Sequence, residues 1–81
     1  MITGLQIRLA RTALRWSVKD LADRSGVSVP TIKRFEATDG IPPSRSSKLH
    51  GVSRTLEAAG IEFIGTPENG PGIRLRPVKA G

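Results

Sequence analysis

Two helix-start signals, Ser17 and Ser28, stand eleven residues apart with Gly26 between them. Ser17 precedes Val18-Lys19-Asp20-Leu21. Its hydroxyl is placed to accept an N–H of the first turn while Asp20 reaches back, a capping box with Asp in place of the better Glu. Trp16 and Leu21 occupy the two ends of a hydrophobic staple, which fixes the angle at which the chain enters the helix. That helix should stop at Ser25, because Gly26 takes the left-handed conformation without a Cβ clash. Ser28 then caps a further helix from about Val29 to Ala37, with Val27 and Ile32 as its staple. Pro30 falls in the first turn, where a missing N–H does no harm.

Two capped helices joined by Ser25-Gly26-Val27 read as a helix-turn-helix, whose members cross at roughly 90 to 120°. Leu21, Ala22, Val27, Ile32 and Phe35 fall on the inward faces, and the small Ala22 permits a close crossing. Thr31, Lys33, Arg34 and the helix start at Ser28-Val29 are expected to face out.

The rest of the chain is arranged around this pair. Leu5, Leu9, Ala13 and Ile7, Ala10, Leu14 recur at helical spacing, predicting a first amphipathic helix that ends near Arg15. Thr38-Asp39-Gly40-Ile41-Pro42-Pro43 is a turn, since two successive prolines cannot continue a helix. Ser44 restarts the chain, and Leu49, Val52, Leu56 and Ala59 mark a fourth helix that Gly60 terminates. Beyond it, Ile61-Glu62-Phe63-Ile64 and Ile73-Arg74-Leu75-Arg76 alternate apolar with polar around a Gly- and Pro-rich loop from Gly65 to Gly72. They predict a hairpin with Ile61, Phe63, Ile73 and Leu75 toward the core and Glu62 opposite Arg74 or Arg76. The expected architecture is mainly α: a four-helix domain over residues 1–60 and a β-hairpin over residues 61–78 packed on it.

Composition narrows the function. Among 81 residues, thirteen Lys and Arg against seven Asp and Glu give a formal charge of +6, which suits a polyanionic partner. Cysteine is absent and His50 is the one histidine, so no disulfide, thiol chemistry or multi-histidine metal site is expected, and no cofactor. No pair of acids obviously faces a second catalytic group, so an enzyme is not expected. No stretch approaches the ~20 apolar residues of a membrane span, and a cytoplasmic protein is the expectation.

Leu21-Ala22-Asp23-Arg24-Ser25-Gly26-Val27-Ser28, then Thr31-Ile32, then Phe35-Glu36, resembles the Cro and phage-repressor type of helix-turn-helix regulator, also called XRE-like; the likeness covers residues 5–60. The resemblance implies a DNA-binding domain that acts on operator DNA as a dimer and represses. Position by position, it implies that Ser28, Val29, Thr31 and Arg34 approach base edges and that Lys33 reaches a base or a phosphate. A guanidinium at Arg34 can bond both O6 and N7 of guanine, whereas Val29 and Pro30 offer only apolar contact, such as to a thymine methyl. The family commonly has polar residues at these two positions and a Gln where Val18 stands. Arg11 and Glu36 fall where the family places a structural ion pair between the first helix and the end of the third.

Phosphate contacts are assigned to Ser17, Lys19, Ser44, Arg45 and Lys48, near helix starts whose N–H groups and dipoles favour anions. Arg8, Arg15, Arg24 and Arg54 read as solvated, Trp16 as a core residue and His50 as surface. One recognition helix reads few base pairs, so two copies on a pseudo-palindrome spaced about 34 Å are expected. The strand from Ile73 to Val78 supplies an edge that can pair with a second copy. The competing reading is a protein-interaction module, an antiactivator or antitoxin, that reuses the same fold to hold a protein partner.

Overall fold

Local hydrogen bonds set the limits of the helices. The computed structural model describes residues 2–42 and 47–76. Among them lie helices α1 (Gly4–Ala13), α2 (Val18–Ser25), α3 (Val29–Glu36) and α4 (Ser47–Ala58), then strands β1 (Ile61–Thr66) and β2 (Asn69–Leu75). α2 starts where its capping box closes: the Asp20 N–H donates to Ser17 Oγ and the Ser17 N–H donates to Asp20 Oδ2, both at 2.9 Å. It ends at Gly26, whose φ of 75° lies in the left-handed region that a side chain disfavours. Ser28 caps α3, with Pro30 in the first turn.

α1 begins one residue before the hydrophobic pattern predicts, at Gly4, because Thr3 and Gln6 form another capping box. The Gln6 N–H donates to Thr3 Oγ1 at 3.0 Å, and the Thr3 N–H donates to Gln6 Oε1 at 2.9 Å. The helix stops short of Arg15, which has a φ of 59°. The expected restart at Ser44 lies outside the described residues, and α4 is described from Ser47.

One buried cluster joins the elements. Ile7 and Ala10 of α1, Leu21 of α2, Ile32 and Phe35 of α3, Leu49, Val52 and Leu56 of α4 and Ile61 of β1 belong to it, flanked by Leu14, Trp16, Phe63 and Ile73. Each large apolar side chain buried this way contributes about 1.5–3 kcal/mol relative to exposure. Leu9, expected in the apolar pattern of α1, is 40% exposed. At about 100° per residue it lies about 200° around the helix from Ile7, away from the stripe that has something to pack against.

β1 and β2 pair antiparallel, with Ile61 opposite Leu75, Glu62 opposite Arg74 and Phe63 opposite Ile73. Arg76 and Arg74 both reach Glu62, at 2.7 and 3.5 Å. The expected loop from Gly65 to Gly72 is mostly strand: pairing continues to Thr66 and Asn69 through a register shift after Ile64. A bulge lets the ladder pass the glycines, and Pro71 is tolerated because an edge strand has positions that need no N–H. Leu75, expected to face the core, is 47% exposed. It ends the strand, where Ile61 of the partner strand already closes the core.

The first turn of α1 ties the hairpin to the end of α3. Buried Gln6 donates from Nε2 to the carbonyls of Ile64 at 3.1 Å and Gly72 at 2.9 Å. On the α3 side, the Gly4 N–H donates to the Gly40 carbonyl at 2.9 Å. A Cβ at Gly4 would overlap the carbonyl oxygens of Phe35 and Thr38, so the approach requires glycine.

Candidate nucleic-acid interface

α3 is clamped on one side and open on the other. Ile32 and Phe35 enter the core, and Glu36 is buried against Arg11, whose Nε donates to Oε2 and whose second Nη donates to Oε1, each at 3.0 Å. The first Nη of Arg11 donates to the Trp16 carbonyl at 3.0 Å, which extends the clamp to the α1–α2 turn. The hydrogen bonds that Arg11 donates to Glu36 hold its guanidinium above its ordinary pKa, against a smaller opposing effect of burial. Arg8, which read as solvated, donates to the Glu36 carbonyl and to Asp39. The end of α3 is therefore fastened to α1 by side chains as well as by packing.

The open side carries Ser28, Pro30, Lys33 and Arg34, all exposed, with Val29 half-buried beside them. Lys33 takes part in no ion pair among the described residues. Arg34 makes a long contact of 3.5 Å to Thr31 Oγ1 and no ion pair among the described residues. Thr31 differs from expectation. It is only 6% exposed, so it does not face out with Lys33 and Arg34. Its hydroxyl accepts from Ser28 Oγ at 2.9 Å, and this local partner is what lets a polar side chain turn inward next to Ile32. In that position its hydroxyl also accepts the long contact from Arg34.

The residues assigned to phosphates separate in the structure. Lys48 is exposed on the first turn of α4. Ser44 and Arg45 lie outside the described residues. Ser17 is exposed, but its N–H already serves Asp20, and that bond, with a further one from the Ser17 hydroxyl, holds the Asp20 carboxyl below its ordinary pKa. The start of α2 thus carries its own anion. Lys19 is bonded to Asp23 at 3.0 Å, which raises its pKa and leaves a pair with no net charge at the rim of the groove between α2 and α3.

Two contributors were not legible as such. Arg24, which read as solvated, lies over the Trp16 ring with its guanidinium carbon 4.4 Å from the centroid, a cation–π contact that braces α2 against the preceding turn. Gln6 acts at a distance through the hairpin, although the spacing Thr3-Gly4-Leu5-Gln6 is itself a capping-box signal. Among the described residues no group of three or more His, Cys, Asp or Glu is placed to hold a metal ion, and no helix is long and apolar enough to cross a membrane.

Two short capped helices, a left-handed glycine between them and a clamped second helix with cations outward define a DNA-binding helix-turn-helix regulator. The helix-turn-helix family model matches residues 7–49, more than half of the chain, and the chain belongs to that family, of the Cro and phage-repressor type. The match runs from the buried stripe of α1 to the start of α4 and leaves out the hairpin. A search of curated proteins and a search of solved structures found no match.

Proposed function

We propose that this regulator is an operator-binding repressor that acts as a dimer, with the open side of α3 laid in the major groove of a pseudo-palindromic site. The observation that carries this reading is the adjacent, exposed pair Lys33 and Arg34 on a helix whose other side is fixed by Ile32, Phe35 and Glu36. A rigid helix presents its cations without losing side-chain and backbone freedom on binding beyond that of the cations themselves. Arg34 bonds O6 and N7 of a guanine, which discriminates by about 1–3 kcal/mol. Lys33 reaches an adjacent base or phosphate. Lys48 fixes register on the backbone, and Lys19 joins it only by leaving Asp23. Dimerisation follows from the few base pairs one helix can read, and the strand segment that begins at Ile73 is the element assigned to pair with a second copy. Repression then results from occupancy, the bound dimer covering a promoter element.

Titration of labelled duplex DNA at salt concentrations between 50 and 200 mM tests the binding mode. Affinity should fall log-linearly with salt, the slope counting phosphates neutralised at about 0.9 per contact. Sedimentation of the complex should give two chains per duplex site. Affinity for a protein partner with none for DNA at low salt would contradict the reading, and one chain per site would remove the dimer.

A further inference from the structure

The side chains of the first turn of α3 offer a ligand little that is polar. Ser28 Oγ donates to Thr31 Oγ1 at 2.9 Å and accepts the Thr31 N–H at 3.4 Å, so that hydroxyl is engaged within the turn. Thr31 is buried. The Ile32 N–H donates to the Ser28 carbonyl at 3.0 Å, and Pro30 has no N–H to give. Among the side chains, what remains outward is hydrocarbon: the exposed Pro30 ring and the half-buried Val29. Lys33 and Arg34 follow one turn later, each four residues beyond one of these two and therefore on the same side of the helix.

Resting on the reading of α3 as the groove-facing helix, we infer that Val29 and Pro30 form an apolar contact for a C5-methylated pyrimidine, thymine or 5-methylcytosine, close to the guanine that Arg34 reads. The C5 methyl is the one apolar group that projects from a base edge into the major groove, beyond the donors, the acceptors and the small cytosine C5–H. Such a polar edge pressed against Val29 and Pro30 would lose water and gain no partner. Four residues of helix span about 6 Å and base steps rise about 3.4 Å, so the methyl and the guanine fall within about two steps of each other when the helix lies along the groove. The half-site therefore has two kinds of determinant, a polar one under the second turn of α3 and a methyl under the first. Cytosine methylation can substitute for thymine at the second.

Duplexes recovered from a random pool by the intact chain are remade with deoxyuridine replacing each thymine in turn, which removes the methyl and nothing else. Fluorescence anisotropy then reports affinity. At one position per half-site, deoxyuridine should weaken binding about fourfold, the ratio given by about 0.8 kcal/mol for one buried methyl-sized group. A 5-methylcytosine·guanine pair at that position should outbind cytosine·guanine by the same ratio. Val29→Ser should lose the thymine-over-uracil difference there and keep the guanine preference. If every uracil duplex binds within twofold of its parent, or recovered half-sites hold no thymine near the guanine, the methyl contact is overturned and DNA reading stands. A thymine preference that survives in both Val29→Ser and Pro30→Ser overturns the assignment to these residues. A pool that yields no enriched site overturns the groove-facing reading and this proposal together.

Discussion

Arg11 holds both carboxylate oxygens of Glu36 with parallel hydrogen bonds of 3.0 Å, and so fixes the last turn of α3 to α1. Glu36 is 8% exposed and Arg11 21%, so removing one partner strands a charge with little access to water. Arg11→Ala should destabilise the fold by about 3 kcal/mol, the low end of the range for broken buried pairs, because Arg11 keeps some solvent. Replacing both, as Arg11→Met with Glu36→Leu, should recover most of that loss. Urea unfolding of the three variants measures it, and a single-variant cost below about 1 kcal/mol would make the pair a surface one.

Two glycines should respond in opposite ways to alanine. At Gly4 the added methyl would meet the carbonyl oxygens of Phe35 and Thr38, so Gly4→Ala should cost about 1–3 kcal/mol as α1 is pushed off the end of α3. At Gly51, inside α4, an added Cβ meets nothing within 4 Å. Gly51→Ala should raise stability by about 0.5–1 kcal/mol through helix propensity. Thermal unfolding of both variants checks the contrast, and two shifts of the same sign would refute it.

Gln6→Leu should loosen the hairpin without melting the helices. Its amide serves the carbonyls of Ile64 and Gly72 while its oxygen takes the Thr3 N–H. Leaving these groups without partners costs about 1–3 kcal/mol. Amide hydrogen exchange should accelerate in residues 61–75 well before it does in α2 and α3; unchanged protection of the hairpin would contradict the coupling.

These long-range ties explain which parts of the fold were legible in the sequence. The limits of α2, the Ser17–Asp20 box, the Gly26 turn and the Ser28 cap were readable because side chain and backbone partners stand within four residues of one another. The hairpin and the inward facing of Ile61, Phe63 and Ile73 followed from alternation, but its register, with Glu62 opposite Arg74 rather than Arg76, did not. Gln6 was not readable as the hairpin anchor, since its partners lie 58 and 66 residues away. Nor was the burial of Thr31, whose polarity argues for an outward position until the Ser28 hydroxyl is seen to satisfy it. The exposure of Leu9 and Leu75 depended on what lies opposite them, and the strand through Gly65–Gly72 on a bulge that composition alone reads as loop.

Acid should weaken the domain in part through two solvent-accessible carboxylates held below their ordinary values. Asp20 is lowered by the Ser17 N–H and hydroxyl, and Glu62 first by its hydrogen bond from Arg76. A carboxylate whose pKa is lower in the folded chain contributes stability in full above the unfolded value, about 4, and loses it as pH falls through the folded one. The melting temperature should therefore decline below about pH 4, and more gently in the double variant Asp20→Asn, Glu62→Gln. An acid slope identical to that of the parent would remove both groups from the account.

If Arg34 reads a base from the outward side of α3, its mark is a base preference confined to single positions of the site. Sites selected from random duplexes by the parent should contain one guanine per half-site whose replacement weakens binding roughly five- to 150-fold, the span of about 1–3 kcal/mol. Arg34→Ala should lose that preference while still binding duplexes at low salt through Lys33 and Lys48. An Arg34→Ala variant that distinguishes the matched site from scrambled DNA as well as the parent does would contradict the account.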